Sequence, residues 1–128
     1  MWRSLFLAVT LAAVGSKGAA QSMTPMRGEI SSFEEEFTVR VFPYNPYPHS
    51  IRVAIKAYDQ DFRPIEADVM PPEMVIASMS SRSAIVSVGF KNKKVRRIRI
   101  CTESVPFLGL HTSIKAQICG RFIAHRIN

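Results

Sequence analysis

Ile51–Tyr58, IRVAIKAY, decides the fold. Ile51, Val53, Ile55 and Ala57 alternate with Arg52, Ala54, Lys56 and Tyr58, and a period of two sets one group on each face of an extended strand. A helix would need apolar residues three and four apart. The same alternation recurs on both sides of this stretch. Phe37, Val39 and Val41 oppose Thr38, Arg40 and Phe42; Ala84, Val86, Val88 and Phe90 oppose Ile85, Ser87 and Gly89. Ile98 and Ile100 oppose Arg97, Arg99 and Cys101. From Ser113 to Ile127 an inner set (Ile114, Ala116, Ile118, Gly120 and Phe122) alternates with Lys115, Gln117, Cys119, Arg121 and Ile123.

Breaks separate these ribbons. Pro43 to His49 (PYNPYPH) carries three prolines and reads as a turn, because proline brings no N–H to a ladder. Asp59 to Pro64 and Ser78 to Ser83 read as turns, and Pro106 to Gly109 as a loop. Ile65 to Val69, closed by Pro71-Pro72, and Met74 to Ile76 read as short strands. Residues 21–36 read as a flexible lead or a weak first strand, and 37–128 as the domain. Six or seven short strands with no helical pattern make an all-β domain. Each apolar face needs cover, so a two-sheet sandwich is expected, with a small closed barrel as the alternative.

The alternation puts Cys101 beside Arg97 and Arg99, and Cys119 beside Lys115, Gln117 and Arg121. Both cysteines thus lie on the polar side of their strands, where a free thiol gains no burial. Antiparallel neighbours joined by a short loop could bring their Cβ atoms within disulfide range; two unpaired thiols are the alternative. Closing so short a loop would contribute roughly 3 kcal/mol, which matters in a small domain.

The opening residues read as a leader, not as part of the sandwich. Arg3 precedes the apolar run Leu5 to Val14, and Gly18-Ala19-Ala20 sets small side chains before a cut at Gln21. That is the pattern of a secretory signal peptide over residues 1–20. The run is too short for a membrane helix of about 20 apolar residues, so no span is expected in the mature chain. Export to the periplasm or the exterior allows disulfides. It also redirects the meaning of 17 Lys+Arg against 10 Asp+Glu, from nucleic acid toward acidic polypeptides, polysaccharides or membrane surfaces. Lys91, Lys93, Lys94, Arg96, Arg97 and Arg99 form a basic run. It is either a solvated hairpin tip that keeps an edge soluble or a patch that steers an acidic partner.

Catalytic patterns are missing from the sequence. His49, His111 and His125 lack partners at metal-ligand spacing, so neither a zinc motif nor another metal site is read. Asp59-Gln60-Asp61 reads as turn capping, and no phosphate-cradling glycine loop or nucleophile elbow occurs. The chain is expected to be neither an enzyme nor a cofactor protein.

Three stretches resemble the N-terminal immunoglobulin-like domain of the periplasmic pilus-assembly chaperones. Val69 to Ile76 (VMPPEMVI) is similar to a strand with a Pro-Pro turn, and Ile85 to Cys101 to a hairpin leading into an alternating strand. Ser113 to Arg126 (SIKAQICGRFIAHR) resembles the strand that closes that domain. The resemblance implies an immunoglobulin-like sandwich and a chaperone that lends this strand to a subunit with an incomplete β-sandwich. By position the donated side chains would be Ile114, Ala116 and Ile118. The residue that anchors a subunit's terminal carboxylate falls on Ile123, with Arg121 and His125 flanking it, and Arg27 lies in the region of the second anchor. The competing reading is a small disulfide-stapled structural component of an envelope or surface appendage, its partners being neighbouring copies.

Overall fold

The computed structural model describes residues 21–105 and 116–127. Among them every regular element is a strand: β1 (Ser22–Thr24), β2 (Arg27–Ser32), β3 (Glu36–Tyr44), β4 (Ile51–Asp59), β5 (Asp68–Met70), β6 (Glu73–Ile76), β7 (Ala84–Gly89), β8 (Val95–Val105) and β9 (Gln117–Arg126). They form two sheets, one ordered β1-β3-β7-β5 and the other β2-β9-β8-β4-β6. The architecture is the immunoglobulin-like two-sheet sandwich. Pairing is antiparallel except between β2 and β9, which run parallel.

The inner faces are those the alternation foretells. Phe37, Val39, Val41, Val53, Ile55, Val86, Val88, Phe90, Ile98, Ile100 and Phe122 are buried in one core. The Phe37 and Phe90 rings meet at 5.0 Å. Burying such side chains from both sheets is the main term that holds the sandwich closed.

Several expectations are corrected. Residues 21–36 hold two strands, one in each sheet, and Met23 lies in the core. Pro43 is not in a turn: β3 runs through it to Tyr44, and Pro43 is buried opposite Met23. The strand expected at Ile65 to Val69 lies at Asp68–Met70 instead. The basic run does not tip a hairpin, because β7 is already flanked by β3 and β5 and β8 must join the other sheet. Lys91 and Asn92 both have positive φ, and Lys93 N donates to Phe90 O at 3.1 Å. This turn has the dihedral signs of type I′, and it carries the chain between sheets.

Asn45 is the buried polar pin of the fold. Its Nδ2 donates to the carbonyls of His49 (2.8 Å), Ile76 (3.0 Å) and Ala77 (3.1 Å), and its Oδ1 accepts from Tyr47 N (2.9 Å). A fully buried amide is tolerable only when satisfied in this way.

Candidate functional site

β9 has two halves with different surroundings. Residues 121–126 lie between β8 and β2, in register Arg121↔Arg27 through Arg126↔Ser32. Residues 117–120 pair with β8, and no strand pairs with their other side among the described residues. The backbone alternates: Ala116 O accepts from Ser104 N on the β8 side, whereas Arg121 N donates to Met26 O on the β2 side. Gln117 and Cys119 therefore turn their N–H and C=O groups toward the open side. Ile118, half-buried, packs against the core from the inner face. The result is a short open lane that β2 continues.

Where the lane meets β2, two arginines stand side by side. Arg27 and Arg121 are register partners on the outer face, both exposed. With Gly28, Glu29 and Ile123 they line a shallow depression of about 400 Å³. Neither is in a salt bridge among the described residues, and Glu29 pairs with His125 at 3.3 Å. Gly120 makes this junction possible. A Cβ there would lie 2.9 Å from the Phe122 ring and 3.1 Å from Met26 O, closer than packed atoms tolerate.

The start of β9 is fastened to β8 by three devices. Cys101 and Cys119 are directly opposed and joined by a disulfide, with Cα atoms 4.0 Å apart. They occupy a non-hydrogen-bonded pair, where side chains approach most closely. Ser104 Oγ accepts from Ala116 N at 3.3 Å. Glu103 collects Tyr58 Oη (2.6 Å), Gln117 Nε2 (2.8 Å) and the Lys56 ammonium (3.0 Å). Burial pushes the Glu103 carboxyl up, but these three donors outweigh it and hold the group below the usual carboxylate range. The bond to Glu103 raises both the Lys56 ammonium and the Tyr58 phenol.

Of the residues read as partner-binding, Ala116 and Ile118 lie on the lane, Arg121 at its end and His125 beyond it, beside Glu29. Ile114 lies outside the described residues, as does the leader at 1–20. Ile123, on which the anchor position falls, lines the same depression as Arg121 and Arg27. Only the β2–β9 pairing joins those two, and no local pattern announces a parallel pairing between distant segments. Cys101 is fully buried, although it lies on the face read as polar. The basic run is divided: Lys91 approaches Glu66 at 3.4 Å, Arg96 caps the Gly89 carbonyl, and Arg97 and Arg99 lie on the outer face of β8. No group of three or more His, Cys, Asp or Glu side chains converges among the described residues.

No protein-family model and no curated protein matches the sequence. The fold does have solved counterparts. The E. coli chaperone DraB superposes with TM-score 0.66 at 13% identity, covering 84% of this chain and 55% of that one. The SafB chaperone, solved with the Salmonella enterica SafA pilin, gives 0.67 at 15% identity, covering 84% and 54%. The chain thus spans about half the length of these chaperones. SSP-19 of Caenorhabditis elegans, described as like an MSP-domain protein, gives 0.59 at 9% identity, covering 81% of this chain and 98% of that one.

Proposed function

Starting from the chaperone fold of these counterparts, we propose that this is an exported, chaperone-like protein that engages a subunit with an incomplete β-sandwich by strand addition, in fimbria or envelope assembly. The observation that carries this reading is the half-paired β9, with its open lane ending at Arg27 and Arg121. A partner strand in the lane would bond to the free backbone groups of Gln117 and Cys119, while Ala116 and Ile118 fill its exposed core.

Electrostatics selects the orientation. β2 already runs parallel to β9 in the same lane, so a parallel guest would lie end to end with it. Its C-terminus would then fall between the two guanidiniums, which suit a carboxylate. An antiparallel guest would bring an ammonium there and be repelled. The guest is therefore a C-terminal strand with a free carboxylate. Export rests on the leader pattern at 1–20 and fits the disulfide.

The test uses the purified protein and a peptide matching the partner's last strand, made with a free or an amidated C-terminus. The acid should bind at least about tenfold tighter than the amide, as expected for a lost charge-assisted contact, and Ile118→Asp should abolish binding of either in a folded protein. Equal binding of acid and amide would remove the anchor, and binding that survives Ile118→Asp would remove strand addition. The structural-component reading draws on SSP-19, where this fold makes up nearly the whole chain. A component would remain in the finished assembly at fixed stoichiometry, whereas a chaperone would be released from it.

A further inference from the structure

We infer that the outer face of the five-stranded sheet is a second docking surface, fitted to an acidic polypeptide segment and extending from the end of the strand lane at Arg27 and Arg121 across to Arg99 and Arg97 of β8. Across β2, β9 and β8 the register aligns Arg27, Arg121 and Arg99 in one lateral row, and Tyr58 of β4 continues it. Neighbouring strands are about 4.8 Å apart, so the row sets three guanidiniums along about 10 Å. Arg97 stands exposed in the next row of β8, opposite Ile123.

Like charges directly opposite one another weaken a sheet, yet this row contains two such pairs in succession. No carboxylate forms a salt bridge with Arg27, Arg97, Arg99 or Arg121 among the described residues. Glu103, on the same face, is already occupied by Lys56, Tyr58 and Gln117. Arg99 is also held in position: its guanidinium lies 4.2 Å from the centre of the Phe62 ring, and its Nε donates to Gln60 O at 3.1 Å. A preset cation without a counter-charge is the arrangement that binds an external anion at little ordering cost. Departures from local sheet rules are concentrated at functional sites.

The chemistry favours a peptide over an anionic membrane. The aromatic side chain that such a surface would have to insert is Phe33, 77% exposed at the end of β2. Glu34, Glu35 and Glu36 follow it directly, and they would be repelled by anionic headgroups. A flat face of planar guanidiniums beside Tyr58 and Phe62 matches side-chain carboxylates of an extended acidic segment.

The probe is a fluorescein-labelled oligoglutamate peptide with an amidated C-terminus, which lacks the carboxylate proposed for the lane. Its binding to the intact protein is followed by fluorescence anisotropy. Replacing Arg97 and Arg99 together by Gln should weaken binding about tenfold or more. Arg99→Lys should recover part of the loss, and Ile118→Asp or Lys91→Gln should leave binding unchanged. Rising salt should weaken it. Unchanged binding in the Arg97/Arg99 variant, with its fold verified by circular dichroism, overturns the inference. So does loss of binding in Ile118→Asp, which would put the acidic segment in the lane. Binding to phosphatidylglycerol vesicles without binding to the peptide overturns it as well.

Discussion

The two flanks of the five-stranded sheet are finished in opposite ways. On the β6 flank the strand has four residues and follows Pro71-Pro72. The outward carbonyl of Val75 accepts from Arg82 Nη1 at 3.0 Å, and Asn45 occupies the carbonyls of Ile76 and Ala77 just beyond. On the other flank β2 covers only the second half of β9, and Gln117 and Cys119 are left with outward backbone groups. Proteins shield edges that must not pair. One flank is shielded with proline, guanidinium and amide, whereas the other keeps a disulfide-braced strand half uncovered among the described residues, and the proposed strand addition rests on that difference.

The largest expected effect breaks the closed flank. Asn45→Ala strands buried carbonyls and a backbone N–H, and should lower unfolding free energy by about 3 kcal/mol in urea titrations. A loss below about 1 kcal/mol would mean that the amide is not what pins this flank. The second prediction loosens the open flank. Replacing Cys101 and Cys119 together by Ala should cost roughly 3 kcal/mol and raise hydrogen exchange at Gln117 and Cys119 more than at Phe122 and Ala124. Uniform exchange along β9 would show that the disulfide does not brace the lane in particular.

The third prediction opens the closed flank. Arg82→Ala removes the cap on Val75 at about 1 kcal/mol, and the freed edge should produce concentration-dependent self-association in sedimentation. A variant that stays monomeric would assign the protection to the prolines. The smallest effect concerns pH. The folded pKa of Glu103 lies below its unfolded value of about 4.3. Its contribution is therefore complete above that pH and is lost as pH falls through the depressed folded value. Lys56 is raised above about 10.4, so its share is complete below that pH and is lost as pH rises through the raised folded value. With Lys56 more than half exposed, the pair should contribute at most about 1 kcal/mol. Glu103→Gln should flatten the acid limb of the stability profile, and an unaltered limb would place the acid sensitivity elsewhere.

The core was legible in the sequence because burial on one face of a strand is a local, period-two signal. The alternations at 37–41, 51–58, 84–90 and 95–101 predicted the inner faces, and the polar-face reading of Cys101 and Cys119 led to the disulfide. Pro43 was misread because proline is barred from a ladder by its missing N–H, yet it can occupy the last turn of pleat in a strand such as β3. Residues 21–36 read only as a flexible lead or a weak first strand because RGEISS in β2 has one large apolar residue, Ile30, and its pairing is long-range. The short strand read at Ile65 to Val69 lies at Asp68–Met70, where register with β7 is available. Of the candidate site, Ala116 and Ile118 could be picked from the alternation and the chaperone resemblance. The Arg27–Arg121 pair and the Arg99 row could not.

By itself the sequence determined what each short segment does locally: extended ribbons, their buried and exposed faces, and a thiol pair on one side. Local sterics and hydrophobic alternation suffice for that. Only the tertiary structure decided which ribbons became neighbours. It aligned arginines from three strands, divided a contiguous basic run among a turn, a cap and a sheet face, and left the start of β9 paired on one side only among the described residues. Those outcomes depend on lateral pairing between segments far apart in the chain. Side-chain periodicity specifies which face of a strand is buried, but it carries no record of which strand will lie beside it.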